Sequence, residues 1–83
     1  MEKLLLNFAA QFAAASLDSL VDSFNSQVGS RGWTSARAVH DQALIAELVA
    51  RHIDVSAIHD GHVTSYAHKV RLDKSSNKLV IAE

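Results

Sequence analysis

The spacing of apolar residues along this 83-residue chain changes near residue 54. Before that point apolar residues recur every three or four positions, the period of an α-helix, and after it they tend to alternate with polar residues, as in a β-strand. A chain of this length is expected to form one domain. The sequence therefore predicts a single α+β domain over residues 1–83, in which two helices precede a three-stranded antiparallel β-meander (ααβββ) and pack on one sheet face.

The first predicted helix carries two apolar strips. One strip runs along its whole length, is expected to face the core, and consists of Leu6, Ala10, Ala13, Leu17, Leu20, Val21, Phe24 and Val28. The second strip is confined to the first three turns and consists of Leu5, Phe8, Ala9 and Phe12. An amphipathic surface helix needs only one apolar stripe, so the second strip requires a cover of its own.

Leu5, Phe8 and Phe12 of the second strip form the predicted protein-interaction site. A chain this short buries only about 60% of the surface that it exposes when unfolded, and without cysteines it cannot form disulfides. Covering these side chains with a second copy in a two-fold homodimer, or with a helix of a partner protein, would stabilise the fold. The sequence thus predicts a small non-enzymatic protein-interaction or oligomerisation domain. Another interpretation left open is that this end of the helix lies between the sheet and the second helix.

The second predicted helix covers residues 35–53. Thr34 or Ser35 can cap its first turn by accepting a hydrogen bond from a backbone N–H, and Trp33 is expected to pack against the start of the helix. Along this helix Glu47 and Arg51 stand four residues apart on the polar side, where they can form an ion pair.

Two polar residues, Asp41 and Gln42, interrupt the apolar side of this second helix. Either the helix begins with a partly exposed turn, or it is broken near His40 into two short pieces. The sequence leaves both arrangements open.

Residues 54–72 are predicted to form a β-hairpin that turns at Asp60-Gly61, a dipeptide favoured in two-residue type I′ turns. A second, longer turn over residues 73–78 then returns the chain as the third strand. This register pairs His59 with His62, Ala57 with Thr64 and Val55 with Tyr66. The predicted core residues of the strands are Val55, Tyr66, Val70, Leu72, Leu79 and Ile81.

An alternative function is that of a winged-helix-like nucleic-acid-binding regulator. The predicted hairpin over residues 69–78 carries Lys69, Arg71, Lys74 and Lys78, which could contact phosphates. However, the net charge is −1 and the isoelectric point is about 6.5, values that are not typical of a nucleic-acid-binding domain. Nucleic acid is therefore the less favoured partner.

No pattern in the sequence predicts an enzyme, a metal site or a cofactor. His59 and His62 flank a turn closely enough to share a metal, but two ligands do not complete a site. In the predicted strand, His68 lies about 20 Å from His62 at ~3.3 Å per residue. The abundant serine, histidine and aspartate residues show no spacing that orients a nucleophile toward a base.

The first residues also resemble the beginning of a secretory leader, which would be cleaved after residue 15. Glu2 and Lys3 give a start of mixed charge, and Asn7 and Gln11 interrupt the apolar run, so cleavage is not expected. The run is also too short to span a membrane. The absence of cysteines fits a reducing compartment, and we expect a cytoplasmic location without membrane association.

Overall fold

In the computed structural model, which describes residues 2–29, 32 and 34–82, three helices precede a two-stranded antiparallel sheet. The helices are α1 (Glu2–Ala14), α2 (Leu17–Asn25) and α3 (Ser35–Ala50), and the strands are β1 (Val70–Asp73) and β2 (Lys78–Ile81). The protein is mixed α+β, as predicted. The prediction of two helices followed by a three-stranded meander is wrong, because the first predicted helix is divided in two and the first predicted hairpin does not form. Trp33 lies outside the described residues.

The first predicted helix is divided because Ser16 begins a new helix. Ser16 has an extended backbone, and its Oγ accepts a hydrogen bond from the N–H of Ser19 at 3.1 Å, which caps the first turn of α2. The break changes the rotational phase of α1 relative to α2, so the predicted stripe no longer faces one side. Three of its members in α2 are buried, namely Leu20, Val21 and Phe24, and Leu17 is half-buried. Its members in α1 are exposed, namely Leu6, Ala10 and Ala13.

The second predicted helix forms as α3 and runs without a break past His40. Its cap is Thr34, whose Oγ1 accepts a hydrogen bond from the N–H of Arg37 at 3.1 Å. Of the two capping residues that the sequence allows, the structure therefore uses Thr34.

The end of α3 adopts a Schellman motif, in which the last turn closes through backbone hydrogen bonds. The N–H of His52 donates to the carbonyl of Val49 at 2.9 Å, and the N–H of Ile53 donates to the carbonyl of Leu48 at 3.0 Å. His52 occupies the left-handed position of this motif with φ 63°, and its side chain is exposed.

Replacing His52 with glycine is expected to raise the free energy of unfolding by about 0.5–1 kcal/mol, because only glycine adopts positive φ without strain. The gain is reduced by the greater conformational freedom of glycine in the unfolded chain. Urea denaturation would measure it. His52→Ala removes the same imidazole but keeps Cβ, so equal stability of the glycine and alanine variants would contradict the proposed strain.

The predicted strand over residues 54–59 is not formed. Val55 and Ile58 are both buried, and the N–H of Ile58 donates to the carbonyl of Val55 at 3.0 Å. These two apolar residues are three positions apart, so the segment closes into a turn that buries both of them. The predicted strand that pairs Ala57 with Thr64 is therefore not present, and Thr64 lies opposite His59 instead.

The turn at Asp60-Gly61 also differs from the prediction. Oδ1 of Asp60 accepts hydrogen bonds from the N–H groups of Val63 at 2.8 Å and His62 at 2.9 Å, and these bonds lower the pKa of the Asp60 carboxyl. This side-chain arrangement competes with a two-residue backbone turn. Gly61 does adopt positive φ, at 101°, but His59 lies opposite Thr64 in an isolated bridge, so its predicted pairing with His62 is wrong.

The second predicted hairpin is confirmed as β1 and β2. Leu72 lies opposite Leu79 and Val70 lies opposite Ile81 across a turn in which Asn77 has φ 51°. Ile81 was a predicted core residue but is 42% exposed, because it lies at the last position of the sheet. The other predicted strand residues are buried or packed against the core, namely Val55, Tyr66, Val70, Leu72 and Leu79.

The core lies between the three helices and the hairpin. Its most deeply buried side chains are Leu20, Phe24, Leu44, Leu48 and Leu79. Asn25 joins α2 to the sheet, because its Nδ2 donates to the carbonyl of Val70 and its Oδ1 accepts from the N–H of Val70, each at 2.8 Å. The Asn25 amide thus pairs with the edge of β1 as a neighbouring strand would.

Candidate functional site

The predicted interaction residues lie on the side of α1 that packs against the rest of the chain. Phe12 is 6% exposed and belongs to the core, while Leu5 and Phe8 are half-buried against it. The imidazole of His40 on α3 makes edge-on contacts with both phenylalanine rings, with centroid distances of 5.0 Å to Phe8 and 5.1 Å to Phe12. That these three residues bind a partner stays a prediction, and in the structure their contacts are internal.

Arg51 fixes the end of α1 against α3. One guanidinium nitrogen, Nη2, donates to the carbonyls of Phe12 at 2.8 Å and Ala15 at 2.7 Å, and Nε donates to Oε2 of Glu47 at 2.7 Å. The predicted pair between Glu47 and Arg51 is thus formed. Because a helix end leaves carbonyls without intrahelical partners, Arg51 caps the end of α1 and holds it against α3.

The opposite side of α1 is apolar and exposed. Leu6 is 63% exposed, and Ala9, Ala10 and Ala13 are exposed around it. We call these four residues the outer face of α1. Residues 4–14 carry no charged side chain, so the extra apolar width that the sequence indicates for this helix is real but lies on the outer face.

The four basic residues of the alternative function are all exposed, namely Lys69, Arg71, Lys74 and Lys78. Arg71 and Lys74 line a shallow groove between β1 and α2, together with Asp18 and Asp22 of α2. The two carboxylates reduce the positive potential that a nucleic acid would meet there.

A cleft of about 620 Å³ opens between α3 and residues 59–66. Ile45 and Ala46 form the α3 wall, and His59, Val63 and Tyr66 contribute to the other wall. Val63 is 67% exposed although it lines this cleft. The cleft is concave, mainly apolar and edged by a few polar groups, which is typical of small-molecule sites.

A buried polar cluster lies at the base of the cleft. Asp41 is 5% exposed, its Oδ1 lies 3.0 Å from Nδ1 of His40, and its Oδ2 lies 3.7 Å from Nε of Arg37. Burial raises the pKa of the Tyr66 phenol well above its usual value, and the nearby Asp41 carboxylate adds to this shift. The Asp41 charge is therefore balanced by Arg37, and Tyr66 stays protonated.

The sequence contains a signal for this cleft, namely the polar residues Asp41 and Gln42 that interrupt the apolar side of α3. Both line the cleft, Asp41 from its base and Gln42 from its exposed border. The sequence gives no signal that Val63 lines a cleft. In a predicted strand every second side chain is expected to be exposed, so an exposed Val63 would not stand out. Within the described part of the chain, no group of three or more histidine and acidic side chains is placed to hold a metal ion.

No helix in the described residues is long and apolar enough to cross a membrane. Comparison with models of known protein families, with curated proteins and with solved structures finds no match to this chain.

Proposed function

We propose that the protein is a small non-enzymatic interaction domain that pairs with a second copy of itself through the outer face of α1. The observation that carries this proposal is the 63% exposure of Leu6 among three exposed alanines. A partner protein's helix is the other occupant that this face could accept. A cytoplasmic location, favoured by the absence of cysteines, belongs to the same proposal.

The side chains of the outer face suit contact with another helix. Alanines at 9, 10 and 13 leave the backbone of α1 close to its surface, and helix separation depends on the size of the side chains at the contact. Thirteen residues give α1 a length of about 20 Å at ~1.5 Å per residue. In a two-fold arrangement both copies of Leu6 would be covered, and half-buried Leu5 borders the face beside Ala9.

Leu6→Glu is expected to weaken self-association at least about 100-fold, because covering each leucine contributes about 1.5–3 kcal/mol and the two-fold contact contains two. Sedimentation velocity over a range of concentrations would give the dissociation constants of the wild type and the variant. Circular dichroism would show whether the variant keeps its helices, as the exposure of Leu6 predicts.

Gln11→Glu provides the matched control, because it adds the same charge to an exposed polar position of the same helix. This variant should associate like the wild type. A wild type that stays monomeric at high micromolar concentration would contradict the homodimer, and equal weakening by both variants would show a general charge effect instead of contact at the outer face.

The nucleic-acid alternative stays a prediction with less support. Two of its four basic residues share a groove with Asp18 and Asp22, and the chain has a net charge of −1. Binding through these residues would fall steeply with salt concentration. A duplex-binding measurement with the Lys74→Glu and Lys78→Glu double variant would test it.

A further inference from the structure

The cleft between α3 and residues 59–66 is separate from the outer face of α1. His40 marks the side of α3 that meets α1, whereas Gln42 and Ala46 of the cleft are two and six residues further along. At 100° per residue these positions point about 200° and about 240° away from His40. The cleft therefore stays accessible when α1 is covered by a partner.

The loop that forms the outer wall is held by its own hydrogen bonds. His59 Nδ1 lies 2.8 Å from Thr64 Oγ1, and the N–H of Ser65 donates to the carbonyl of Ile58 at 2.7 Å. Asp60 Oδ1 fixes the backbone between these two points. The wall is thus ordered without covering Val63, so the cleft does not depend on a ligand for its shape.

The charges around the cleft favour an uncharged occupant. Nε of Arg37 lies 3.7 Å from Oδ2 of Asp41, so the formal charges of these two side chains cancel at the base of the cleft. Hydrogen-bonding groups remain at the border, where Gln42 is exposed and Nε2 of His59 makes no hydrogen bond to any described residue. Isoleucine, alanine and valine side chains provide the apolar surface between them.

We propose that this cleft binds a small uncharged molecule with an apolar ring and one hydrogen-bonding group, the ring lying between Ile45 and Val63 and the polar group meeting His59. A volume of about 620 Å³ accommodates a molecule of this class. The site adds a ligand-binding function to the domain and does not rest on its self-association.

Three probes with one ring system and different charges test the proposal. Indole is uncharged, indole-3-acetate is an anion and tryptamine is a cation at neutral pH. Backbone amide NMR titrations of the full chain should show saturable shifts with indole, confined to α3 near Ala46 and to residues 59–66. For both charged probes the dissociation constant should be at least about tenfold higher than for indole.

Ala46→Leu fills the cleft from α3 and should abolish the shifts, whereas Ala50→Leu makes the same change at an exposed position of α3 that does not line the cleft. Val63→Asn is a second test that keeps a folded chain, because Val63 is exposed, and it should weaken indole binding several-fold. Absence of saturable shifts, shifts located on α1, or equal effects of the two leucine variants would overturn the site. Equal affinity for the charged probes would overturn the uncharged ligand class.

Discussion

Replacing both Phe8 and Phe12 with glutamate is expected to unfold the protein. Truncating a buried phenylalanine costs about 3–5 kcal/mol, and a carboxylate at the position of Phe12 would be buried without a partner. Domains have stabilities of about 0.05–0.15 kcal/mol per residue, or roughly 4–12 kcal/mol for 83 residues. The double change therefore removes most or all of the stability. Far-ultraviolet circular dichroism and urea denaturation would measure the loss.

Gln11→Glu is the control for this experiment, because it places a carboxylate on the same helix at an exposed polar position outside the outer face. It should leave the free energy of unfolding within about 0.5 kcal/mol of the wild type, as surface changes usually do. A folded and monomeric Phe8→Glu, Phe12→Glu protein would contradict the internal packing of these rings. That result would support the sequence-based interaction site at Leu5, Phe8 and Phe12 instead.

The sequence predicts that the first helix has more apolar width than one contact needs, but not which strip faces the core. That choice depends on the break at Ser16, since one continuous helix would align Leu6 with the buried residues of α2. A local signal was present, because serine followed by Asp18 in the first turn is typical of a helix start. The final orientation of α1 also depends on Arg51, which is 36 or more residues away from its carbonyl partners along the chain.

The second hairpin was predictable and the first was not, for a physical reason. Residues 70–73 alternate apolar and polar side chains, residues 79–81 are all apolar, and a polar turn separates the two segments. The register of β1 and β2 places these segments opposite each other. In residues 54–64 the alternation coexists with a second spacing, Val55 and Ile58, that allows a compact turn. When a segment fits two such patterns, burial in the tertiary structure decides between them. The β-strand propensity of the residues is then a weak guide.

The candidate cleft, too, could be predicted only in part from the sequence. Asp41 and Gln42 stand out in the sequence as polar residues on an apolar side, which suggests a special environment. The partners of Asp41 are Arg37, four residues before it, and Tyr66 of a distant loop. A single sequence gives the first of these contacts by helical spacing, but the second requires the packing of residues 59–66 against α3.

Arg51→Met is expected to lower the free energy of unfolding by about 2–4 kcal/mol. Methionine keeps an apolar stem of similar length, so the change measures the contribution of the guanidinium group to stability. Hydrogen bonds to a charged group contribute about 1.5–3 kcal/mol each and are not additive, and Arg51 donates strong bonds to the carbonyls of Phe12 and Ala15 and to Glu47. The melting temperature should fall by at least about 8 °C, since 1 kcal/mol corresponds to roughly 4–8 °C in a domain of this size.

Two comparisons separate the capping of α1 from the surface ion pair. Glu47→Gln keeps an acceptor for Nε and removes only the ion pair, so it should cost less than about 1 kcal/mol. Arg51→Lys can donate to fewer carbonyls at once and should give an intermediate stability. Because Arg51 holds the end of α1 against α3, its loss should also uncover Phe8 and Phe12. Dye binding to exposed apolar surface should therefore rise in Arg51→Met before the main unfolding transition. Equal stability of Arg51→Met and the wild type would show that water satisfies these carbonyls, and that the packing of the phenylalanines against His40 is sufficient to orient α1.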